Sequence, residues 1–274
     1  MAAHFNDAVV WITGGGSGIG LALALEFAGQ GARVAVSGRR KERLDEAVQA
    51  IEAAGGAGLA VPCDVTNDDE VKAAVAEVVA GFGRLDVAVA NAGFGCMGRF
   101  EELSDAEWRR QMDVNVLGAV STARWALPEL RKTGGRLALI GSVMAMMAAP
   151  KSSAYCASKF ALRGIGLCLA QELAGSGVSC TTIHPGFVES DIAKVDNLNR
   201  PRPDRKDKRP SNVMWPADKA ARVMVKAIRK RKVEHVFTGH GKLGAFLGQH
   251  TPGLVHFAMT RTPVTRAQPD KNAT

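Results

Sequence analysis

The chain of 274 residues has a single tyrosine, Tyr155, and four residues later comes Lys159. In a helical pattern this spacing puts both on one face, with the ammonium near the phenol. A free phenol has a pKa of about 10 and is a poor base at neutral pH. A nearby cation favours the phenolate, which makes the pair a candidate general acid/base. Ser142 lies thirteen residues before Tyr155. A hydroxyl there can hydrogen-bond an oxygen as charge develops on it. The three groups suit proton exchange with a carbonyl or alcohol oxygen.

A second group of residues suits a phosphate. Thr13 to Gly20 read TGGGSGIG, after an apolar run and before a helical pattern. Glycines let the backbone turn tightly and approach a pyrophosphate with no Cβ in the way. The helix start then offers free N–H groups and partial positive charge to the anion. Gly14, Gly16, Ser17, Gly18, Ile19 and Gly20 are therefore candidate cofactor residues. A carboxylate at the end of the second strand would bond a ribose 2′-hydroxyl and repel a 2′-phosphate. That place reads Ser37-Gly38-Arg39-Arg40. Two guanidiniums there can grip a phosphate in a forked, charge-assisted way, so Arg39 and Arg40 predict NADP(H).

The spacing Gly14-x3-Gly18-x-Gly20, the set Ser142-x12-Tyr155-x3-Lys159 and the triplet Asn91-Ala92-Gly93 together resemble the short-chain dehydrogenase/reductase superfamily, over roughly residues 5 to 240. The resemblance implies an oxidoreductase moving a hydride between NADP(H) and a carbonyl or alcohol carbon. It implies that Tyr155 exchanges the proton and Ser142 polarises the substrate oxygen. Lys159 would lower the phenol pKa and bind the nicotinamide ribose. Asn115 would hold a helix bend and a proton-passing water. By the same resemblance Asn91, Ala92 and Gly93 back the adenosine, and Asp64 and Val65 contact adenine. Pro185, Gly186, Val188 and Ser190 would meet the carboxamide end, with Ser190 replacing the family's usual Thr.

These groups need elements to hold them. Short apolar runs at 8–13, 33–37, 59–63, 87–90, 136–140, 178–184 and 235–238 alternate with helical patterns at 18–30, 41–54, 68–81, 105–130, 153–174 and 217–231. Ser104 with Glu107 reads as a capping box opening the fourth helix. Nearly continuous apolar strands fit a parallel sheet buried on both faces. The expected fold is α/β: a doubly wound, Rossmann-type, seven-stranded parallel sheet with helices on both faces, in one domain spanning 1–274.

Composition is ordinary for a globular protein, 46% hydrophobic and 23% charged. No signal-peptide pattern and no long apolar span is seen, so a cytoplasmic protein is expected. The five cysteines form no CxxC pair and read as reduced, buried hydrophobes, with no metal site. The net charge of +8 sits mostly between Lys194 and Glu234, where fourteen Lys and Arg meet five Asp and Glu. This run reads as a solvated face, or as a site for an anionic substrate tail or membrane headgroup. Aromatic residues do not interleave with it, so nucleic acid is not an expected partner.

Cys96, Met97, Val143 and Met144 are expected to line an apolar substrate pocket, for adaptable thioethers suit irregular hydrophobic ligands. Residues 188–215, Pro-rich and basic from Asn197, read as a mobile substrate loop able to act as a lid. The apolar extension 242–260 reads as a subunit interface of a homodimer or homotetramer, as a peripheral membrane contact, or as a cover for the chain's own core. Residues 261–274 read as a frayed tail. A small carbonyl or alcohol is the expected partner. A 3-oxoacyl-carrier reductase and a non-catalytic NADP(H) sensor or scaffold are the alternative functions.

Overall fold

The computed structural model describes residues 4–202, 204, 205, 207 and 209–261. Most of the 261–274 tail therefore lies outside the described residues.

Seven parallel strands form one sheet in the order β3-β2-β1-β4-β5-β6-β7. They are β1 (Val9–Thr13), β2 (Arg33–Gly38), β3 (Ala57–Pro62), β4 (Val87–Ala90), β5 (Arg136–Ile140), β6 (Ser179–His184) and β7 (Glu234–Val236). Helices α1 (Gly18–Ala28), α2 (Lys41–Ala53), α3 (Asp68–Phe82), α4 (Asp105–Met112), α5 (Gly118–Thr133), α6 (Ser153–Glu172) and α7 (Ala217–Arg229) connect them. The pleat sorts the core. Val9 and Trp11 face one cluster with α3, α5 and α6, whereas Val10 and Ile12 face the other with α1, α2 and α7. Both faces are dry, which is why the strands read as unbroken apolar runs. The Trp11 indole N–H, enclosed by this packing, donates to Ser37 Oγ at 2.8 Å.

The expected helix over 105–130 is two helices separated by a π-type turn, Asp113–Leu117. Its start is as expected: Ser104 and Glu107 cap each other reciprocally. The break has a cause that periodicity does not carry. Asn115 is buried, and its Oδ1 accepts from Phe94 N at 3.0 Å. Its Nδ2 donates to Phe94 O at 3.0 Å and to Ser158 Oγ at 3.2 Å. A side chain holding the backbone of another segment on both its polar groups displaces the regular ladder, and a π-bulge absorbs the extra residue.

The extension expected over 242–260 is two further helices, α8 (Gly239–His250) and α9 (Pro252–Thr260). The inner face of α8 is glycine. A Cβ at Gly248 would lie only 2.2 Å from Met146 O, so the helix rests directly on the turn after β5. Large side chains are left outside: Leu243, Phe246, Leu254 and Phe257 are each at least half exposed. α9 buries none of its residues, whereas α8 buries Gly241 and Ala245. Cys168 is exposed, contrary to the expectation of buried thiols, while the other four cysteines are buried.

Replacing Asn115 by Ala leaves the buried Phe94 N–H without a partner. We expect a loss of about 1–3 kcal/mol in stability, read as a lowered denaturant midpoint. An unchanged midpoint would show that the bracket does not hold the bend.

Candidate active site

The strand order reverses between β1 and β4, and their C-terminal ends open into a cleft. The sequence places the turn Thr13–Gly20 on one lip. Gly14 adopts φ of +66°, and a Cβ there would lie 2.9 Å from Ala92 Cα. Asn91 locks this turn, donating from Nδ2 to Thr13 O at 2.9 Å and to Gly14 O at 3.2 Å. Thr13 Oγ1 in turn accepts from the N–H groups of Asn91 and Ala92. The Asn91-Ala92-Gly93 segment thus braces the glycine turn from behind.

Every residue expected to hold the cofactor lines this cleft: Gly14, Gly16 to Gly20, Arg39, Arg40, Asp64, Val65, Asn91 to Gly93, Tyr155, Lys159, Pro185, Gly186, Val188 and Ser190. The polar groups fit a dinucleotide. Ser17 precedes α1 but makes no side-chain cap, and the first turn carries no acidic residue. The α1 start therefore keeps free donors and positive potential facing the cleft. No carboxylate follows β2, where Arg39 and Arg40 stand. Burial lowers the Arg39 pKa, Asp64 opposes, and the Arg110 and Arg40 guanidiniums add to the lowering. Three guanidiniums crowded against one carboxylate make this end of the cleft a place for an anion.

At the other end, the Ser142 side chain faces the Tyr155 phenol and pulls its pKa down. Ser142 Oγ accepts from Met144 N at 3.2 Å. Lys159 is buried one turn from Tyr155, its Nζ 5.8 Å from the phenol ring centre. It donates to Ile140 O at 2.9 Å, its one hydrogen bond among the described residues. Two ammonium donors are left for a ligand. Burial pushes the Lys159 pKa down to about 8. Burial also raises the Tyr155 pKa, against the Ser142 side chain and Arg209, which pull it down. The sequence led us to expect a phenol made acidic by Lys159. In the protein alone burial dominates and the ammonium is turned to a carbonyl, so the phenol is held protonated. Asn115 lies behind the cleft wall, with both its amide protons committed to Phe94 and Ser158.

The four expected pocket residues lie elsewhere. Cys96 is fully buried in the core, and its N–H donates to Gln111 Oε1 at 2.6 Å. Val143 is buried against Gly241 and Gly244 of α8. Met144 is half-buried on the turn after Ser142 and does not line the cleft. Met97 is exposed, and its terminal methyl, the Tyr155 ring and Ile192 all flank Gly95. Sequence reasoning missed Ile192, Arg43, Arg110, Asn199 and Arg209, which all line the cleft. The segment after Ser190 brings three of them there, Ile192, Asn199 and Arg209. Arg39 donates to Asn199 O at 3.0 Å, and Arg209 donates to Val188 O at 2.9 Å and to Ser190 O at 3.2 Å. The expected mobile loop is thus a strap pinned at both ends of the cleft. The dense Arg and Asp alternation was the only hint in the sequence.

A family model for short chain dehydrogenases matches residues 8–201. The chain belongs to the short chain dehydrogenase family. It is an oxidoreductase with a site for a nicotinamide cofactor. Over 192 residues it is 37% identical to a 3beta-hydroxysteroid dehydrogenase of Mediterraneibacter gnavus, covering 70% of each chain. It is 38% identical over 188 residues to the 11-beta-hydroxysteroid dehydrogenase 1A of Arabidopsis thaliana, covering 68% of this chain and 54% of that protein, so it spans about half that relative's length. Among solved structures, a short chain dehydrogenase from Burkholderia phymatum in complex with NAD superposes with a TM-score of 0.81 at 26% identity, covering 94% of this chain and 98% of that one. An alcohol dehydrogenase from Thermococcus sibiricus complexed with 5-hydroxy-NADP gives 0.73 at 28% identity, covering 84% and 95%. Among the described residues no helix is long and apolar enough to cross a membrane.

In the cofactor-free protein Lys159 should lose its proton near pH 8 rather than near 10.5. Its folded pKa is depressed, so the unfolded chain binds this proton more tightly between those values. The destabilisation from burying the ammonium is then complete below pH 8 and relieved as pH rises to 10.5. Carbon-13 NMR of labelled lysine side chains reads the midpoint, and a value near 10.5 would contradict the burial.

Proposed function

We propose that the chain transfers a hydride between NADP(H) and the carbonyl or alcohol carbon of a hydrophobic, steroid-like substrate, with Tyr155 as general acid/base. The observation that carries this reading is the Tyr155 phenol, lining the glycine-lipped cleft together with Ser142 and one helical turn from the buried Lys159. A bound nicotinamide supplies or takes up the hydride.

The chain's own groups do the rest. In reduction a protonated phenol is the form required, and burial keeps Tyr155 in that form. Tyr155 gives its proton to the substrate oxygen as negative charge builds there, and the Ser142 hydroxyl donates a second hydrogen bond to the same oxygen. Lys159 stabilises the phenolate left behind, and its spare donors suit ribose hydroxyls. In oxidation the phenolate takes the proton back. The α1 N-terminus and the glycine turn orient the pyrophosphate.

The guanidiniums of Arg39 and Arg40, with Arg110 close by, support a 2′-phosphate and hence NADP(H). The NAD complex of one structural relative makes this the finer part of the reading. The apolar side chains of Met97 and Ile192, which flank Gly95 with the Tyr155 ring, support a hydrophobic substrate, and two relatives bear hydroxysteroid dehydrogenase names.

A panel of ketosteroids and aliphatic ketones, followed by loss of nicotinamide absorbance, tests the reaction. Tyr155→Phe should cut turnover by about 10²–10⁴-fold and leave NADPH affinity unchanged in a fluorescence titration. Retained turnover would remove Tyr155 from the acid/base role. Arg39→Asp should move the preference from NADPH toward NADH, and an unchanged ratio of kcat/KM values would assign the phosphate to other groups.

A further inference from the structure

Tyr155, Lys159 and Arg163 repeat every four residues along α6. The third of them points to a separate network. Arg163 donates from Nε to Glu234 Oε1 at 2.7 Å and from Nη2 to Oε2 at 3.2 Å. Gln249 of α8, in the amide orientation that satisfies both of its ends, accepts from the same guanidinium at 2.7 and 3.2 Å. On its other side Glu234 Oε1 lies 2.9 Å from His184 Nε2. His184 ends β6 and has no exposed surface. Its Nδ1 lies 3.0 Å from the main-chain oxygen of Ser142.

The chemistry of these partners fixes the proton count on the ring. A main-chain carbonyl only accepts. An ionised carboxylate only accepts. A neutral imidazole has one N–H and one lone pair, and cannot donate to both. The one escape is a protonated Glu234 donating to Nε2. The Arg163 guanidinium spans both Glu234 oxygens and favours the ionised carboxylate over that form. The approach to Ser142 is also built in: a Cβ at residue 141 would lie 2.6 Å from His184 Nδ1, and the residue there is glycine.

We infer that His184 is a buried imidazolium and a positioning residue, fixing Ser142 by a hydrogen bond to its main-chain carbonyl, with Glu234 as its counter-charge. The inference rests on the reading of Ser142 as the group that polarises the substrate oxygen. It extends that reading to three residues that touch neither substrate nor cofactor. The strand-end carbonyls of Ile140 and Ser142 are both held by cations, Lys159 from α6 and His184 from β6. The segment between them is gripped on both sides, and the Ser142 hydroxyl is presented to Tyr155 from a fixed base. The charged groups facing the ring through hydrogen bonds are Glu234 from β7 and, through it, Arg163 from α6.

The test is nitrogen-15 NMR of the histidine-labelled full chain, with the His184 signals assigned by their loss in H184N. Both ring nitrogens should be in the protonated range at pH 7. E234Q should reduce the ring to one protonated nitrogen at the same pH. One unprotonated nitrogen in the unaltered chain at pH 7 overturns the inference. Kinetics with NADPH and a ketosteroid accepted in the panel test the positioning. H184A should lower kcat roughly a hundredfold with the NADPH KM unchanged. H184N should recover most of that loss, because its amide N–H can reach the same carbonyl. Full kcat in a folded H184A, or no recovery in H184N, counts against positioning. Full turnover in S142A would remove the Ser142 reading and the positioning role with it, whereas the spectrum decides the charge on His184 separately. The spectrum of the unaltered chain holds even where H184A fails to fold.

Discussion

A buried ammonium is among the most unfavourable groups a protein can enclose, and Lys159 is one. A single main-chain carbonyl, that of Ile140, meets it. This under-satisfied cation explains why the rest of the cleft has its form. It must lie where a ligand rich in acceptors completes its hydrogen bonds, so it lies beside a glycine turn and an uncapped helix start. On the proposed acid/base reading, its place one turn from the phenol lets its charge stabilise a phenolate. The phenol is raised and the amine is lowered by the same burial. Both shifts favour neutral forms, so burial opposes a standing ion pair between the two groups.

The sheet topology makes this placement available. Parallel strands bring all their C-terminal ends to one edge, and the reversal between β1 and β4 parts the connecting helices there. The Gly14 turn leaves β1, Asn91 leaves β4, Ser142 leaves β5 and Pro185 leaves β6. Groups far apart in sequence meet because each is the first residue or two beyond a strand. The polar bracing then runs between neighbouring strand ends: Asn91 to the Gly14 turn, Val143 N to Pro185 O, His184 to Ser142. Rigidity at this edge comes from hydrogen bonds across adjacent loops, with the dry core clamping only the strands behind them.

The strand ends and their motifs were legible because they are local. A glycine turn between an apolar run and a helix, and a Tyr-x3-Lys pair on one helix face, carry their geometry in spacing alone. What was not legible depends on partners distant in sequence. The π-type turn at Asn115 exists because Phe94 is bonded there. Cys96 and Val143 neighbour cleft residues in sequence, yet Cys96 is bound inward to Gln111 and Val143 is covered by the glycine face of α8. His184 and Glu234 are fifty residues apart, and no pattern pairs them. Arg43 and Arg110 read as ordinary helix surface until α2 and α4 carry them to the cleft.

The strap shows how a feature that reads as solvated charge becomes part of the site. Among the described residues Arg39 has one hydrogen-bond acceptor, the carbonyl Asn199 O, at the guanidinium-lined end of the cleft, and burial with neighbouring cations disfavours its charge. A doubly charged phosphate is a better partner than a neutral carbonyl. An anion bound there therefore competes with the strap for one guanidinium, and the strap's hold at residue 199 weakens as the anion arrives. The other end is held differently. Arg209 grips the carbonyls of Val188 and Ser190 and is itself paired with Asp207, so its charge is already answered. The two ends of one segment are thus held by unlike bonds: a guanidinium on one neutral carbonyl at Arg39, and an ion-paired guanidinium on two carbonyls at Arg209.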